Sequence, residues 1–203
     1  MSERRFVVFA VVLLFFTIPG VSLANPQNYT TEDLPDFCNY VQLSPGHGSP
    51  TSDYYYSVYG KTTFHHMHHY CWALFFYNEG LQIRDDPNFK RYTWQEAIAN
   101  FDYVLKRTDS TFVLRPEILV RKGSALLFMK DRVPEGLTCL KQAIDLREDF
   151  VPAYVAMGNY FARAGDTDEA RRILRAGLAR APDTDLLKRK LSELADPVDA
   201  EGR

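Results

Sequence analysis

The sequence predicts an all-α fold, an antiparallel helix-pair solenoid of about three repeats plus a C-terminal capping helix, preceded by an irregular arm rich in proline and tyrosine. Three observations carry that expectation. From Thr62 onward apolar residues recur with a period near 3.6, the mark of helices that bury one face. Two stretches in that region repeat one another, with Gly123 lying 35 residues before Gly158 and Ala143 lying 34 before Gly177. A fixed period of that length points to units that bury their apolar faces only by stacking. Breakers such as Gly165-Asp166 and Pro182 fall between the periodic segments rather than inside them.

The 203 residues, 46% hydrophobic and 25% charged, suit one globular domain. Residues 1–24 differ from the rest. Arg4 and Arg5 precede the 13-residue apolar run "FVVFAVVLLFFTI", Pro19-Gly20 breaks it, and Ser22 and Ala24 supply small residues before a cut. A membrane span needs about 20 apolar residues and a secretory signal about 7 to 15. Residues 1–24 are therefore expected to be a cleaved signal peptide, which leaves no stable membrane span and a periplasmic or secreted product. The alternative is an uncleaved anchor. No cysteine follows Ala24 directly, as a lipid-anchored precursor would need. The net charge of −2 for the whole chain gives no reason to expect nucleic acid as a partner.

Residues 25–61 read as the irregular arm, with Pro26, Pro35, Pro45 and Pro50 among glycines, ending in "SDYYYSVYG". Tyrosines so close together are too apolar for a free linker and should lie against the helices of the repeat region. Export favours disulfides. Of three cysteines, the pair Cys38 and Cys71 would tie the arm to the first helix, closing a loop worth roughly 3 to 4 kcal/mol in the chain-entropy account. Cys139, inside "GLTCLKQAI", is then a small packing residue. Three reduced thiols are the alternative.

The repeat domain is expected over residues 62–195. Its clearest unit is 151–184, "VPAYVAMGNYFARAGDTDEARRILRAGLARAPDT", with Tyr154, Met157-Gly158, Phe161, Ala170, Leu174, Gly177 and Pro182 at fixed offsets. This pattern resembles the tetratricopeptide repeat, in which an aromatic, a Leu-Gly pair and a second aromatic mark the first helix and small residues mark the second. Residues 116–150 repeat the spacing through Leu119, Gly123, Leu126, Gly136, Leu140 and Ala143. A degenerate copy over 62–110 places Trp72-Ala73 and Phe76 on its first helix and Ala97, Phe101 and Val104 on its second. About a dozen residues, "NEGLQIRDDPNFKR", then enlarge its turn. Residues 185–195 are expected to be the polar helix that closes the array, and 196–203 a disordered tail.

The resemblance implies a right-handed array whose concave face holds a protein or peptide, and it implies no catalysis. On that basis the partner-binding groove is expected from Met67, Tyr70, Leu74, Tyr77 and Asn78 in the first copy. The second copy adds Val120, Ser124 and Leu127, and the third Val155, Asn159 and Arg163. Aromatic and aliphatic groups supply apolar contact, while Asn159 and Arg163 can hold a backbone or a carboxylate.

One further motif stands apart. "HHMHH", residues 65–69, sets four histidines beside Cys71 and Trp72. In a continuous helix His65 and His69 share a stripe with Trp72 and Phe76. They offer two imidazole ligands for zinc or copper, with His66, His47, Met67 or a carboxylate to complete the shell. The competing reading has the histidines covering the end of the array, donating ring N–H groups to the arm and stacking on its rings, where they can titrate. No metalloprotease helix, haem attachment motif or nucleophile elbow is present, so no enzyme is expected.

Overall fold

The computed structural model describes residues 34–194. The expected signal peptide, the arm's residues 25–33 and the tail lie outside the described residues. Within them the chain forms α1 (Pro50–Tyr59), α2 (Lys61–His65), α3 (Met67–Gln82), α4 (Pro87–Arg107), α5 (Arg115–Leu127), α6 (Val133–Leu146), α7 (Val151–Arg163), α8 (Thr167–Arg180) and α9 (Asp185–Glu193). Helices α3 and α4, α5 and α6, and α7 and α8 pack as adjacent pairs, and each pair packs on the next. Helix α9 lies on α8 and α7, burying Leu187. The fold is an all-helical solenoid of helix pairs, as the periodicity predicts.

Helix starts obey local chemistry. Proline occupies the first or second position of α1, α4, α5, α6 and α7. The first turn leaves its N–H groups without helical partners, so a residue lacking one loses nothing there, and its fixed φ already suits the helix. The Asp86 and Asp166 carboxylates accept the Phe89 and Glu169 N–H groups at 2.8 and 3.0 Å, capping α4 and α8.

This use of proline revises two expectations. The arm is not irregular throughout. Pro50 opens the ten-residue α1, whose start is capped by the Ser49 hydroxyl accepting the Ser52 N–H at 3.2 Å. The enlarged first turn is not there either, because Asn78 to Gln82 complete α3, Pro87 opens α4, and only Ile83 to Asp86 connect them. Gly80, which reads as a breaker, sits in the α3–α4 crossing, where a Cβ would come within 3.0 Å of the Trp94 ring. Gly123 and Gly158 hold the same place in the next two pairs, since a Cβ on each would meet the partner helix at 2.9 and 2.8 Å. The register of the first copy is therefore set by Gly80 rather than by Ala73.

With that register the first pair differs in length rather than in its turn. Helix α4 has 21 residues, against 14 each for α6 and α8. The extra turns carry a second apolar core, in which Phe64, Met67, Tyr70 and Cys71 pack with Phe101 and Val104. The main core runs through the other pairs from Trp94 and Leu126 to Leu140, Tyr154, Leu174 and Leu187. The N-terminal segment closes over the extension. The Phe37 ring stacks on Tyr70 at 5.9 Å and meets Tyr59 edge-on at 5.5 Å, while Tyr55, Tyr56 and Tyr59 surround Phe64 at 4.9 to 6.0 Å. A disulfide joins Cys38 to Cys71 with both side chains fully buried. Cys139 is free and buried, and burial pushes its thiol pKa up.

Candidate functional site

The first helices of the pairs carry positions that line one cleft, with Val120 and Leu127 largely buried in its floor. In α7 these are Val155, Ala156, Asn159 and Arg163, which lie before and after Gly158 on one stripe. In α5 they are Val120, Ser124 and Leu127, of which Val120 and Ser124 hold the places of Val155 and Asn159 relative to the two glycines. Tyr77 of α3 stands beside them, Leu186 of α9 closes the far end, and together they line a cleft of about 330 Å³. Every segment that lines it belongs to the first helices, to the residue after α5, or to the capping helix.

The cleft has an apolar floor and polar fittings at one end. The Arg163 guanidinium lies 5.5 Å from the Phe128 ring centroid, and that of Arg121 lies 5.7 Å from the Tyr77 ring. Arg121 is also paired with Glu117 at 3.1 Å. Burial raises the Tyr77 pKa, so its hydroxyl stays protonated as a donor. Among the described residues the half-buried Asn159 carboxamide has no hydrogen-bond partner, which leaves its donors and acceptor for a ligand backbone.

Of the groove residues expected from the sequence, the structure brings Tyr77, Val120, Ser124, Leu127, Val155, Asn159 and Arg163 together around this cleft. Asn78 is half-buried on α3 and does not line it. Met67, Tyr70 and Leu74 are buried instead, at 0, 1 and 2% exposure. Two of them, Met67 and Tyr70, lie on the extension of α3, and the disulfide-tied segment around Phe37 covers that end. The Tyr70 hydroxyl donates to Glu117 of α5 at 3.0 Å, closing the surface off from the cleft. Sequence reasoning missed Pro152, Ala156, Phe128 and Leu186. Phe128 had a usable signal, since it lies five residues after Gly123 as Arg163 lies five after Gly158.

The histidine block does not assemble into a metal centre. Among the described residues no group of three or more His, Cys, Asp or Glu side chains is placed to hold a metal ion. The physical reason lies in the backbone. Helix α2 ends at His65, His66 takes φ −93° and ψ −4° between helices, and α3 starts at Met67, so His65 and His69 are not on one continuous helical stripe. Ring nitrogens are also engaged. His69 Nδ1 donates to Asn100 Oδ1 at 2.6 Å, His68 Nδ1 to the His65 carbonyl at 3.0 Å, and His66 Nδ1 shares a 3.3 Å hydrogen bond with the Tyr103 hydroxyl. His66 and His69 therefore pack on α4 rather than on the arm. The His69 ring stacks on Tyr103 at 3.5 Å, and the Arg107 guanidinium covers the same tyrosine at 3.7 Å. Desolvation, and then repulsion from His69, hold the His68 pKa down at about 4. Burial first, and nearby charge after it, lower those of His66 and His69 as well.

No helix among the described residues is long and apolar enough to cross a membrane. A comparison with curated proteins gives no match. A solved structure described as the first TPR of Spaghetti (RPAP3) bound to the HSP90 peptide SRMEEVD is similar to this chain at 18% identity, covering 64% of this chain and 96% of its own, with a TM-score of 0.42. The tetratricopeptide repeat family model matches residues 151–194, the span of α7, α8 and α9. The last helix pair and its cap thus match the tetratricopeptide repeat, within a solenoid whose two preceding pairs are built in the same way.

Proposed function

We propose that this chain is a non-enzymatic interaction module of the periplasm or secreted space, and that the cleft between α5, α7 and α9 holds an extended segment of a protein partner. One observation carries the reading. Val120 and Val155, Ser124 and Asn159, and Phe128 and Arg163 line the cleft at the same offsets from Gly123 and Gly158, so a periodic surface is presented along the array. An extended peptide matches such a surface, with apolar side chains on Val120, Leu127 and Val155 and backbone groups on Asn159. The N-terminal segment limits that surface at Tyr77, so within this cleft the partner rests mainly on the first helices of the second and third pairs.

An exported address is supported by the basic-apolar-small pattern of residues 1–24 and by the buried Cys38–Cys71 pair, a bond that suits an oxidising compartment. N-terminal sequencing of the protein recovered from its host tests the address. Asn25 at the start supports export with cleavage, and Met1 at the start contradicts it.

The docking role is tested by substituting Asn159→Ala and Arg163→Ala together. Both side chains project into the cleft rather than into the core, so helicity and melting temperature should change little. Partner recovery by affinity purification from the host envelope should fall at least tenfold. Unchanged recovery with intact folding sinks the proposal.

A further inference from the structure

A second cleft adjoins the first across the Phe128 ring. Pro87, Lys90 and Trp94 from the start of α4 line one side of it, and Phe128, Lys130 and Asp131 after α5 line the other, enclosing about 590 Å³. Phe128 lines both clefts and is 42% exposed. Trp94 is almost wholly buried beneath it and stacks on it at 4.8 Å, which fixes the ring as a plate between the two spaces. An apolar side chain can rest on the part of that ring which Trp94 leaves open.

The two spaces differ in charge. The second is lined by Lys90, Arg91 and Lys130 against the single carboxylate of Asp131, and Arg163 stands at the adjoining edge of the first, although the chain as a whole carries a net charge of −2. Lys130 is exposed and has no ion pair among the described residues. Lys90 gives one hydrogen bond to the Ile83 carbonyl at 2.9 Å and keeps further N–H groups for a ligand. Arg91 pairs with Asp131 at 2.9 Å, but both side chains are about half exposed, and such a pair opens at little cost. The nearby Asp86 is turned to the start of α4, where it caps the helix.

We infer that the two clefts form one track, in which the partner's apolar residues fill the first, its chain crosses Phe128, and acidic residues further along rest on Lys90, Arg91 and Lys130. The inference rests on the reading of the first cleft as a docking surface and adds the chemistry of the partner to it. Local positive charge in an acidic chain speeds encounter with an acidic segment and fixes the direction in which it lies.

The test is selection of a random twelve-residue peptide display library on the full chain with its disulfide formed, with affinity then measured on synthetic copies of the selected peptides. The expected consensus places an aromatic or aliphatic group before at least two Asp or Glu residues. Replacing those acids by Asn and Gln should weaken binding about tenfold at low salt, and raising salt should do the same to the parent peptide. The variant Lys90→Glu with Lys130→Glu should lose the acidic preference and bind parent and neutral peptides alike. The salt measurement on the unmodified protein keeps the test decisive should that variant fold poorly. Peptides selected without acidic enrichment, or an acidic preference that survives in the variant, overturn the inference while leaving the first cleft intact as a site. Failure to select any peptide that Asn159→Ala weakens overturns the reading of the first cleft, and the inference falls with it.

Discussion

Single residues decide several features that the sequence shows only in part. The histidines are one case. Their number and spacing are visible at once, but their role depends on a break at His66 that shifts the helical phase, and no period of 3.6 reveals it. What the burial of His68 creates is acid sensitivity. Its folded pKa of about 4 lies below the value of 6.5 expected when unfolded, so the unfolded chain binds more protons between those limits. Stability is fully present above about pH 6.5 and is lost as pH falls toward 4, by roughly 2 to 3 kcal/mol from this residue. Denaturant midpoints at pH 7.5 and pH 4.5 should show that fall, and His68→Gln should flatten it. The glycines offer a second case. A Cβ at Gly123 meets the Gly136 carbonyl at 2.9 Å, fixed in the partner helix, whereas one at Gly158 meets side-chain atoms of the buried Leu174 at 2.8 Å, which yield as the side chain repacks. Gly123→Ala should cost about 1 to 3 kcal/mol of unfolding free energy. Helix propensity returns nearly 1 kcal/mol at either position, so Gly158→Ala, whose added methyl meets side-chain rather than backbone atoms, should cost less. Equal losses in urea titrations would show that the two crossings are equally tight.

At the scale of elements, legibility depends on the chemistry of proline. The segments at 116–150 and 151–184 announce their helices because Pro116, Pro134 and Pro152 fall where a helix is already expected. Pro50 and Pro87 read as breakers because glycine and tyrosine or charged residues surround them, although both open helices. Proline alone does not distinguish the end of one helix from the start of another. The residue before it does, and the capping side chains of Ser49 and Asp86 are the signal available. The arm's helix α1 has only ten residues and depends on what it packs against. Removal of the cross-link by Cys38→Ser with Cys71→Ser should therefore lower the melting temperature by about 10 °C, the effect of roughly 3 kcal/mol in a domain of this size. In hydrogen exchange α1 should lose protection first while α7 and α8 keep theirs. Uniform loss along the chain would mean that the segment around Phe37 is not a separate cover.

For the molecule as a whole, the repeat period carries both the architecture and much of the cleft. Once Gly123 and Gly158 are aligned, Val120 and Val155, Ser124 and Asn159, and Phe128 and Arg163 fall into equivalent places, which needs no knowledge of tertiary structure. The first pair escapes because its register is set by Gly80 and its added length lies at the far end of α3 and α4, so the face expected at Met67 and Tyr70 is spent on packing the N-terminal segment. The result is a solenoid closed at one end by its own arm and at the other by α9, with an open cleft between. The central claim is that this cleft is where a partner docks. A photo-crosslinking residue placed at Asn159 in the native host tests it most directly, with the exposed Thr138 of α6 as the control position. The account predicts a discrete adduct from position 159 and none from 138. Equal labelling at both positions, or none at 159 with an adduct at 138, contradicts it.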